Sequence, residues 1–495
     1  MRCAGVLLPI TSLPSKYGIG TIGKEAYNFV DFLEKCGQTY WQILPIGPTG
    51  YADSPYQSLS TYAGNPYLID LEMLVSDGVL NNSEIAESGF FENPDFVDYG
   101  DLYEKRFELL RKAAQRVDAL DEQFALFCKA NSDWLDDYAL FMSLKLKYGM
   151  GSFHTWTGEH RLYNKELASK AAAEFKDKIH FWSVLQYFFY KQWDRFRAYA
   201  NSKGIKIIGD VPIYVSPDSA DIWVNHELFQ INAERAMTNV SGCPPDTFSE
   251  TGQLWGNPLY DWKAHKKQKY EWWIKRMRHA ERCFDAVRID HFRGFAEYYS
   301  VPASNKTAAK GKWKRGPGKK LIAKIKSDVP NLTIIAEDLG FLTASVHRLL
   351  KFSGFPGMNV LQFAFSDFGR SIYLPHKHVK NSVTFTGTHD NCTTKEWVQT
   401  ASCYEIDFAK RYLKVKEGVN LTSELVKTAM YSNSDTCIIP IQDWLELGAE
   451  ARINIPGTVE ENWKFRIRKE MLSENLMHKI LYMTQISGRI NSSKR

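Results

Sequence analysis

The chain has 495 residues, of which 44% are hydrophobic and 24% charged, values typical of a globular protein with a large buried core. Its net charge of +5 is small for this length and gives no reason to expect a nucleic-acid or membrane partner. Neither a signal peptide nor a spanning helix is indicated, and the eight scattered cysteines, with no CxxC pair, favour reduced thiols in a cytoplasmic protein.

Eight short β-rich runs follow one another along the chain: residues 4–10, 40–46, 205–211, 284–290, 332–337, 359–365, 383–389 and 437–442. Most of them are continuously apolar, as expected for parallel strands that are covered on both faces. Helical patterns lie between the runs; in residues 24–36, for example, Ala26, Phe29 and Leu33 share one face. The alternation predicts a (β/α)8 TIM barrel, ahead of an open doubly wound sheet, as a single catalytic domain over residues 1–495.

Two connections between the predicted strands are too long for one crossover helix. Roughly 160 residues separate the second and third runs, whereas a simple crossover needs only about 10–12. Helical patterns around Phe107 and over residues 134–148 predict an α-rich subdomain inserted at about 50–200. The second insertion, at about 212–283, contains SGCPPDTFSETGQLWGNPLYDW and is expected to be an active-site loop region. The basic stretch at 309–320 is expected to be a solvated loop.

Four acidic residues stand at the carboxyl ends of predicted strands: Asp210, Asp290, Glu337 and Asp390. In a barrel these ends converge on one face, where catalytic residues of such enzymes lie. A carboxylate that follows several apolar residues is costly to bury without a partner. One alone is more often a buried ion pair or a helix cap, but four at equivalent positions predict a site.

The run at 284–290 gives the most specific chemical prediction. Arg288 and Asp290 are two residues apart and share a face, so Arg288 is expected to hold Asp290 ionised and to lower its pKa. Glu337 follows the next strand, where a less polar setting keeps it protonated. A carboxylate and a carboxylic acid about 5–5.5 Å apart match a retaining glycosidase, and neighbouring strands spaced about 4.8 Å apart allow that separation.

Several other motifs in the sequence suggest different functions. Gly18, Gly20 and Gly23 match GxGxxG, but about seven residues separate them from the preceding strand, whereas a dinucleotide-binding turn follows its strand at once. Walker, HExxH and GxSxG motifs are missing. His389 beside Asp390 suits a metal ion, but neighbouring strand residues face apart and no third ligand is evident. The sequence therefore predicts no metal and no organic cofactor.

Long motifs run in order through nearly the whole chain: GVLLPITSLPSKYGIG at 5–20, GPTGYADSPYQSLSTYAGNPYLIDL at 47–71, GDVPIYV at 209–215, PPDTFSETGQLWGNPLYDW at 244–262, DAVRIDHFRGF at 285–295, AEDLG at 336–340, GTHDN at 387–391 and EARINIPGT at 450–458. Together they closely resemble the 4-α-glucanotransferases, also called amylomaltases or disproportionating enzymes. Motifs this long and in this order are far more specific than any single spacing.

The resemblance implies a (β/α)8 barrel and retaining glycosyl transfer on α-1,4-glucans and maltooligosaccharides. It implies that Asp290 is the nucleophile, that Glu337 is the general acid/base and that Asp390 steadies the distorted sugar ring. It also implies substrate contacts by a further set of residues: Ser54, Tyr56, Asp210, Asp246, Gln253, Trp255, Arg288, His389 and Asn454.

The chain also departs from the family pattern at several positions. Cys392 stands where other members have an acid, Ile453 and Ile455 alter a conserved motif, and residues 231–241 differ from the common form. None of these changes touches the three carboxylates, so they bear on acceptor preference. A hydrolytic α-amylase-like enzyme and a catalytically inactive glucan-binding protein are the alternatives; reducing ends increase in number during hydrolysis and stay constant during transfer.

Overall fold

The computed structural model describes residues 2–90, 93–245, 249–340, 342–459 and 461–491. The strands within these ranges are β1 (Cys3–Leu7), β2 (Tyr40–Gln42), β3 (Lys206–Pro212), β4 (Asn239–Cys243), β5 (Gln253–Pro258), β6 (Ala286–Asp290), β7 (Glu297–Pro302), β8 (Lys312–Arg315), β9 (Thr333–Ala336), β10 (Gly357–Val360), β11 (Ser382–Phe385) and β12 (Thr436–Pro440). The α-helices are α1 (Lys24–Lys35), α2 (Leu71–Ser76), α3 (Asn82–Glu87), α4 (Tyr99–Ala114), α5 (Glu122–Ala130), α6 (Leu135–Lys147), α7 (Lys165–Glu174), α8 (Lys176–Ser202), α9 (Ala220–Val224), α10 (Trp262–Lys267), α11 (Glu271–Cys283), α12 (Lys319–Asp328), α13 (Ala344–Ser353), α14 (Thr394–Thr400), α15 (Cys403–Leu413), α16 (Leu421–Tyr431), α17 (Ile441–Trp444) and α18 (Glu474–Ile486).

Eight strands form one parallel sheet in the order β10-β11-β12-β1-β2-β3-β6-β9. Its two outer strands approach each other, because the Ala336 N–H at the end of β9 donates to the Pro356 carbonyl just before β10, at 2.9 Å. The sheet is therefore nearly closed, with helices between successive strands. This confirms the predicted (β/α)8 barrel, and each of the eight predicted runs contains or overlaps one of its strands.

The continuous apolar runs reflect burial on both faces of the barrel sheet. Leu7, Ile208 and Ala286 belong to a cluster that also contains residues of β9, β10, β11 and β12, as expected for the barrel interior. Their neighbours Ile207 and Val287 belong to the larger cluster formed with the surrounding helices. Because side chains alternate along a strand, residues two and four positions after an interior residue also point into the barrel. These residues lie nearer to its carboxyl end.

The connection from β2 to β3 contains helices α2 to α8, of which α4 and α6 lie where the sequence patterns predict helices. The longest is α8, whose 27 residues span about 40 Å. Two buried glutamine side chains of α8 hold the start of this connection in place. Gln186 exchanges hydrogen bonds with the backbone of Gly64, and Gln192 does so with the backbone of Asp70. Within the described ranges no helix is both long and apolar enough to cross a membrane.

A second, antiparallel sheet has the strand order β5-β4-β7-β8. The Gly- and Pro-rich stretch that the sequence predicts as a loop forms β4 and β5 at its ends, with a register shift between Val240 and Gly242. The basic stretch predicted as a solvated loop contains β8, whose four residues are all exposed. Both differences arise because pairing with neighbouring strands overrides a weak local preference: β4 lies between β5 and β7, and β8 pairs with β7.

Candidate active site

Asp210, Arg288 and Asp290 form a charged network across β3 and β6. The strand register pairs Asp210 with Arg288. The Arg288 guanidinium contacts Asp210 Oδ2 through Nη1 at 2.6 Å and Asp290 Oδ1 through Nη2 at 2.7 Å. The Asp210 side chain is fully buried, whereas that of Asp290 is 30% exposed. Asp210 therefore anchors Arg288 inside the barrel, and Arg288 orients Asp290 at its mouth.

Burial raises the pKa of Asp290, and the charge of Arg288 opposes that rise. The sequence predicts a net lowering of this pKa, which is wrong, because the loss of hydration outweighs the ion pair. The charge-assisted hydrogen bond from Arg288 still favours the ionised carboxylate over the neutral acid. Asp290 is thus a partly buried carboxylate whose ion pair with Arg288 favours its charged form.

Glu337 follows β9 directly, next to the end of β6. Its backbone N–H donates to the Ile289 carbonyl at 3.0 Å, so the strand pairing continues to the residue beside Asp290. Its carboxyl oxygens accept hydrogen bonds from the backbone N–H groups of His291, at 2.7 Å, and Leu339, at 2.8 Å. Burial raises the pKa of Glu337 to about 7, against the lowering effect of Arg288. A substantial fraction of Glu337 is therefore protonated at neutral pH.

His291 supplies one of these donors from an unusual backbone conformation. Its φ of 52° lies in the left-handed region, which is uncommon for a residue other than glycine. The turn follows β6 immediately and directs the His291 N–H to Glu337. Such conformations persist where the surrounding structure over-determines them, and they are frequent at functional sites.

Asp390 lies in the connection after β11, beyond the end of the strand. His389 Nε2 contacts Asp390 Oδ2 at 3.2 Å, and Asn454 Nδ2 donates to Asp390 Oδ1 at 2.6 Å. Although burial raises it, the pKa of Asp390 is lowered overall by His389 and Asn454. Burial lowers the pKa of His389, but the charge of Asp390 has the opposite effect and the pKa is raised overall. The expectation that residues 389 and 390 face apart is wrong, because the strand has already ended at Phe385.

Tyr56 connects the charged network on β3 and β6 to His389, the partner of Asp390. Its hydroxyl donates to Asp210 Oδ2 at 2.8 Å, and its ring stacks on His389 with centroids 5.2 Å apart. The Trp463 ring lies 5.8 Å from that of Tyr56. Ser54 Oγ accepts a hydrogen bond from the Tyr56 N–H at 3.3 Å, so Ser54 holds the turn that presents Tyr56.

Gln253 and Trp255 share one face of β5 at the other side of the site. The Trp255 indole N–H donates to Gln253 Oε1 at 3.1 Å. The Trp255 ring stands edge-on to the ring of His291, with centroids 4.7 Å apart. The backbone N–H of the same His291 donates to Glu337. Asp246, predicted for the same segment, lies outside the described residues.

The structure thus connects every described residue that the sequence nominates for the site, through direct contacts or through one intermediate residue. Sequence reasoning missed His291 and Trp463, which both contact nominated residues. His291 follows the Asp290 carboxylate directly, so its position in the motif is a usable signal. Trp463 has no such signal: it reaches the site because its N–H donates to the Ile453 carbonyl at 2.7 Å, beside Asn454.

Comparisons with known proteins agree on one family. A family model described as 4-alpha-glucanotransferase matches residues 8–472. A 4-alpha-glucanotransferase of Clostridium butyricum is 46% identical over 483 residues, covering 97% of this chain and 99% of the relative. One of Streptococcus pneumoniae is 44% identical over 500 residues, covering 99% and 98%.

Solved structures give the same result. The structure of amylomaltase from Streptococcus agalactiae in complex with acarbose superposes with a TM-score of 0.96 at 39% identity, covering 99% of this chain and all of that one. Amylomaltase from Corynebacterium glutamicum superposes with a TM-score of 0.78 at 17% identity, covering 98% and 75%. The second likeness bears on the fold alone.

Proposed function

Because the chain belongs to the 4-alpha-glucanotransferase family and is a glycosyltransferase-type enzyme, we propose that it transfers α-1,4-glucan segments by double displacement through a covalent glucosyl-enzyme. The observation that carries this proposal is the pairing of Asp290 and Glu337 at adjoining strand ends. Arg288 favours the ionised form of the first, and burial raises the pKa of the second to about 7. A nucleophile and a proton donor side by side are what retention requires.

In the first step Glu337 protonates the glycosidic oxygen while Asp290 attacks the anomeric carbon. The bond to the leaving glucan breaks, and its oxygen keeps the proton as a free 4-hydroxyl. A β-linked glucosyl ester forms on Asp290, and Glu337 is left ionised. The pKa of about 7 suits this task, because a catalytic acid works best when its pKa lies near the operating pH.

In the second step the acceptor reverses these events. Ionised Glu337 removes the proton from the 4-hydroxyl of the incoming glucan, and that oxygen attacks the anomeric carbon. The ester to Asp290 breaks, and an α-1,4 bond is restored. Each cycle breaks one glycosidic bond and forms another, so the number of reducing ends is unchanged.

Asp390 and His389 are proposed to bind the secondary hydroxyls of the reacting glucose ring. The fixed negative charge of Asp390 stabilises the oxocarbenium-like transition state more than the neutral ground state, which raises the rate rather than the affinity alone. Trp255 and Gln253 line the opposite side of the site. We propose that they hold the glucan and exclude water, which favours transfer over hydrolysis.

The proposed substrates are α-1,4-glucans and maltooligosaccharides, following the name of the family. A cytoplasmic location stays a prediction. All eight cysteines are free thiols in the structure, which supports a reducing compartment.

Incubation of the purified protein with maltotriose tests the proposal. We expect glucose together with longer oligomers, at a constant number of reducing ends. A rise in reducing ends that accounts for all the products would replace transferase by hydrolase activity. No change in a folded sample would contradict the proposal altogether.

A further inference from the structure

A basic segment on the molecular surface has no part in the chemistry above. Residues 306–320, here called the basic edge, contain seven cations and no acidic residue: Lys306, Lys310, Lys312, Lys314, Arg315, Lys319 and Lys320. All seven are exposed, and none makes an ion pair with a carboxylate of the described residues. Their charge exceeds the net +5 of the whole chain, so the rest of the protein is slightly acidic.

The basic edge is continuous with the candidate active site through the second sheet. Its strand β8 is one outer strand of that sheet, and β5, which carries Trp255, is the other. Three strand spacings separate them, which is about 14 Å. Trp313, in the middle of β8, is 42% exposed, and the Arg293 guanidinium lies 4.1 Å from its ring centroid. Arg293 in turn lies within the electrostatic range of Glu337.

Protection of a sheet edge explains only part of this arrangement. Lysines on an outer strand prevent it from pairing with other chains, and Lys312 and Lys314 serve that purpose. Lys306 and Lys319 lie outside the strand, where edge protection needs no charge. An exposed indole amid cations that have no carboxylate partner among the described residues instead matches a ligand with an apolar face and negative groups. Sugar rings stack on aromatic faces, and phosphates bind lysine and arginine.

We propose that the basic edge binds phosphate monoesters on an α-glucan while the neighbouring site acts on the same glucan chain. The proposal rests on the proposed function, which supplies the glucan. A phosphate monoester carries about −1.5 to −2 charges at neutral pH and accepts several charge-assisted hydrogen bonds. A polymer held at two points gains affinity, because the second contact is intramolecular. The phosphorylated polymer is therefore bound more tightly than its neutral counterpart.

Affinity electrophoresis measures this binding without any catalytic turnover. The wild-type protein runs in gels that contain a phosphorylated α-glucan or the same glucan after phosphatase treatment. We expect a Kd roughly three- to tenfold lower for the phosphorylated polymer, with the difference shrinking at high salt. The Lys306→Gln/Lys319→Gln double variant, which leaves the strand lysines in place, should lose that preference. Lys410→Gln/Lys416→Gln, which removes two exposed lysines elsewhere on the surface, should keep it.

Three outcomes would overturn the proposal. Equal retardation by both glucans would leave the basic edge without phosphate recognition. If both double variants lost the preference for the phosphorylated glucan equally, the preference would come from the overall charge of the protein and not from the basic edge. Tighter binding of polyglutamate than of the phosphorylated glucan would assign the surface to an acidic protein. Turnover of maltotriose is measured in parallel and should be the same in all three proteins; its absence from the wild type would count against the proposed function and not against this surface.

Discussion

The carboxylates that follow barrel strands and the carboxylate that lies in a connecting loop have pKa values shifted in opposite directions. Asp290 and Glu337 come at the ends of β6 and β9, and burial raises the pKa of both. Asp390 lies after β11; burial raises its pKa as well, but His389 and Asn454 reverse the shift and lower it overall. The strand-borne half of the site, Asp290 and Glu337, accommodates proton transfer and bond formation. The loop-borne half, Asp390 with its partners, keeps a permanent negative charge.

This difference indicates how the work is divided. An acid/base group must gain and lose a proton near neutral pH, and a nucleophile must give up its charge when its ester forms. A group that stabilises developing positive charge has only to stay ionised. Carboxylates whose surroundings shift their pKa values in opposite directions typically have different catalytic roles. Substitutions in the two halves should therefore have different kinetic results.

Asp290→Asn should have the largest effect. The amide keeps the size of the carboxylate but cannot form the glucosyl ester, so kcat should fall by about 10⁴-fold or more. Sugar binding should remain, because the contacts of the second half are intact. Initial-rate measurements with maltotriose and a titration with a non-reacting oligosaccharide test both expectations.

The matched control is Asp407→Asn, which removes a carboxylate from the exposed face of α15. Its rate should equal that of the wild type. Near-normal turnover in Asp290→Asn, in a sample free of wild-type contamination, would remove Asp290 from the role of nucleophile.

Glu337→Gln should be the next most severe change, with kcat lower by about 10²–10⁴-fold, the usual contribution of a general acid/base. The pH profile sharpens the test. Glu337 donates its proton only in the protonated form, which dominates below its pKa of about 7. The kcat/KM of the wild type should therefore decline about tenfold per unit as pH rises above 7. That decline should vanish in the variant, measured with a donor whose leaving group needs no protonation.

The same substitution should alter stability in a way that activity does not report. The folded pKa of Glu337, about 7, lies above its ordinary value of 4.5, so the folded state binds the proton more tightly than the unfolded state. The contribution of Glu337 to the free energy of unfolding is therefore complete below about pH 4.5 and lost as pH rises through 7. Relative to the wild type, Glu337→Gln should become more stable over that interval, by about 1–3 kcal/mol. Parallel denaturation curves at pH 5 and pH 8 would contradict this if their difference did not change.

His389→Ala tests the loop-borne half and should lower kcat by about 10²-fold, comparable to the loss of one preorganised electrostatic contact. Without the imidazole, the pKa of Asp390 should rise, because His389 is the main cause of its lowering after burial is overcome. The activity should then decrease at acidic pH, where the wild type is unaffected by Asp390. His389→Phe is the informative comparison, since it keeps a ring against Tyr56. If it restores the rate, stacking and not charge is the contribution of His389.

The two halves also differ in how well the sequence predicts them. Asp290 and Glu337 end apolar runs, and alternation of side chains along β6 brings Arg288 to Asp290, so strand periodicity alone nominates them. Asp390 lies beyond β11, where periodicity no longer applies, and its contact with His389 contradicts the strand-based expectation. Asn454 comes from a distant loop, and only the resemblance points to it.

The second sheet shows the same limit on a larger scale. Its outer strand β8 lies in a stretch rich in lysine and glycine that resembles a loop locally. It is a strand because β7 offers its unpaired backbone, with Tyr299 opposite Trp313. Strand pairing of this kind leaves little trace in local composition, whereas the buried barrel strands coincide with continuous apolar runs.

Asn454→Ala should give the smallest of these effects, about a tenfold decrease in kcat. It removes one hydrogen bond to a charged acceptor, from Nδ2 to Asp390 Oδ1, while His389 still contacts the other oxygen. The double variant with His389→Ala decides whether the two residues act through the same carboxylate. If both act by keeping Asp390 ionised and oriented, their effects should not add, because contacts within one network are coupled. Additive losses would mean that Asn454 contributes elsewhere, and the loop-borne half would then lack the single charged centre that distinguishes it from the strand-borne half.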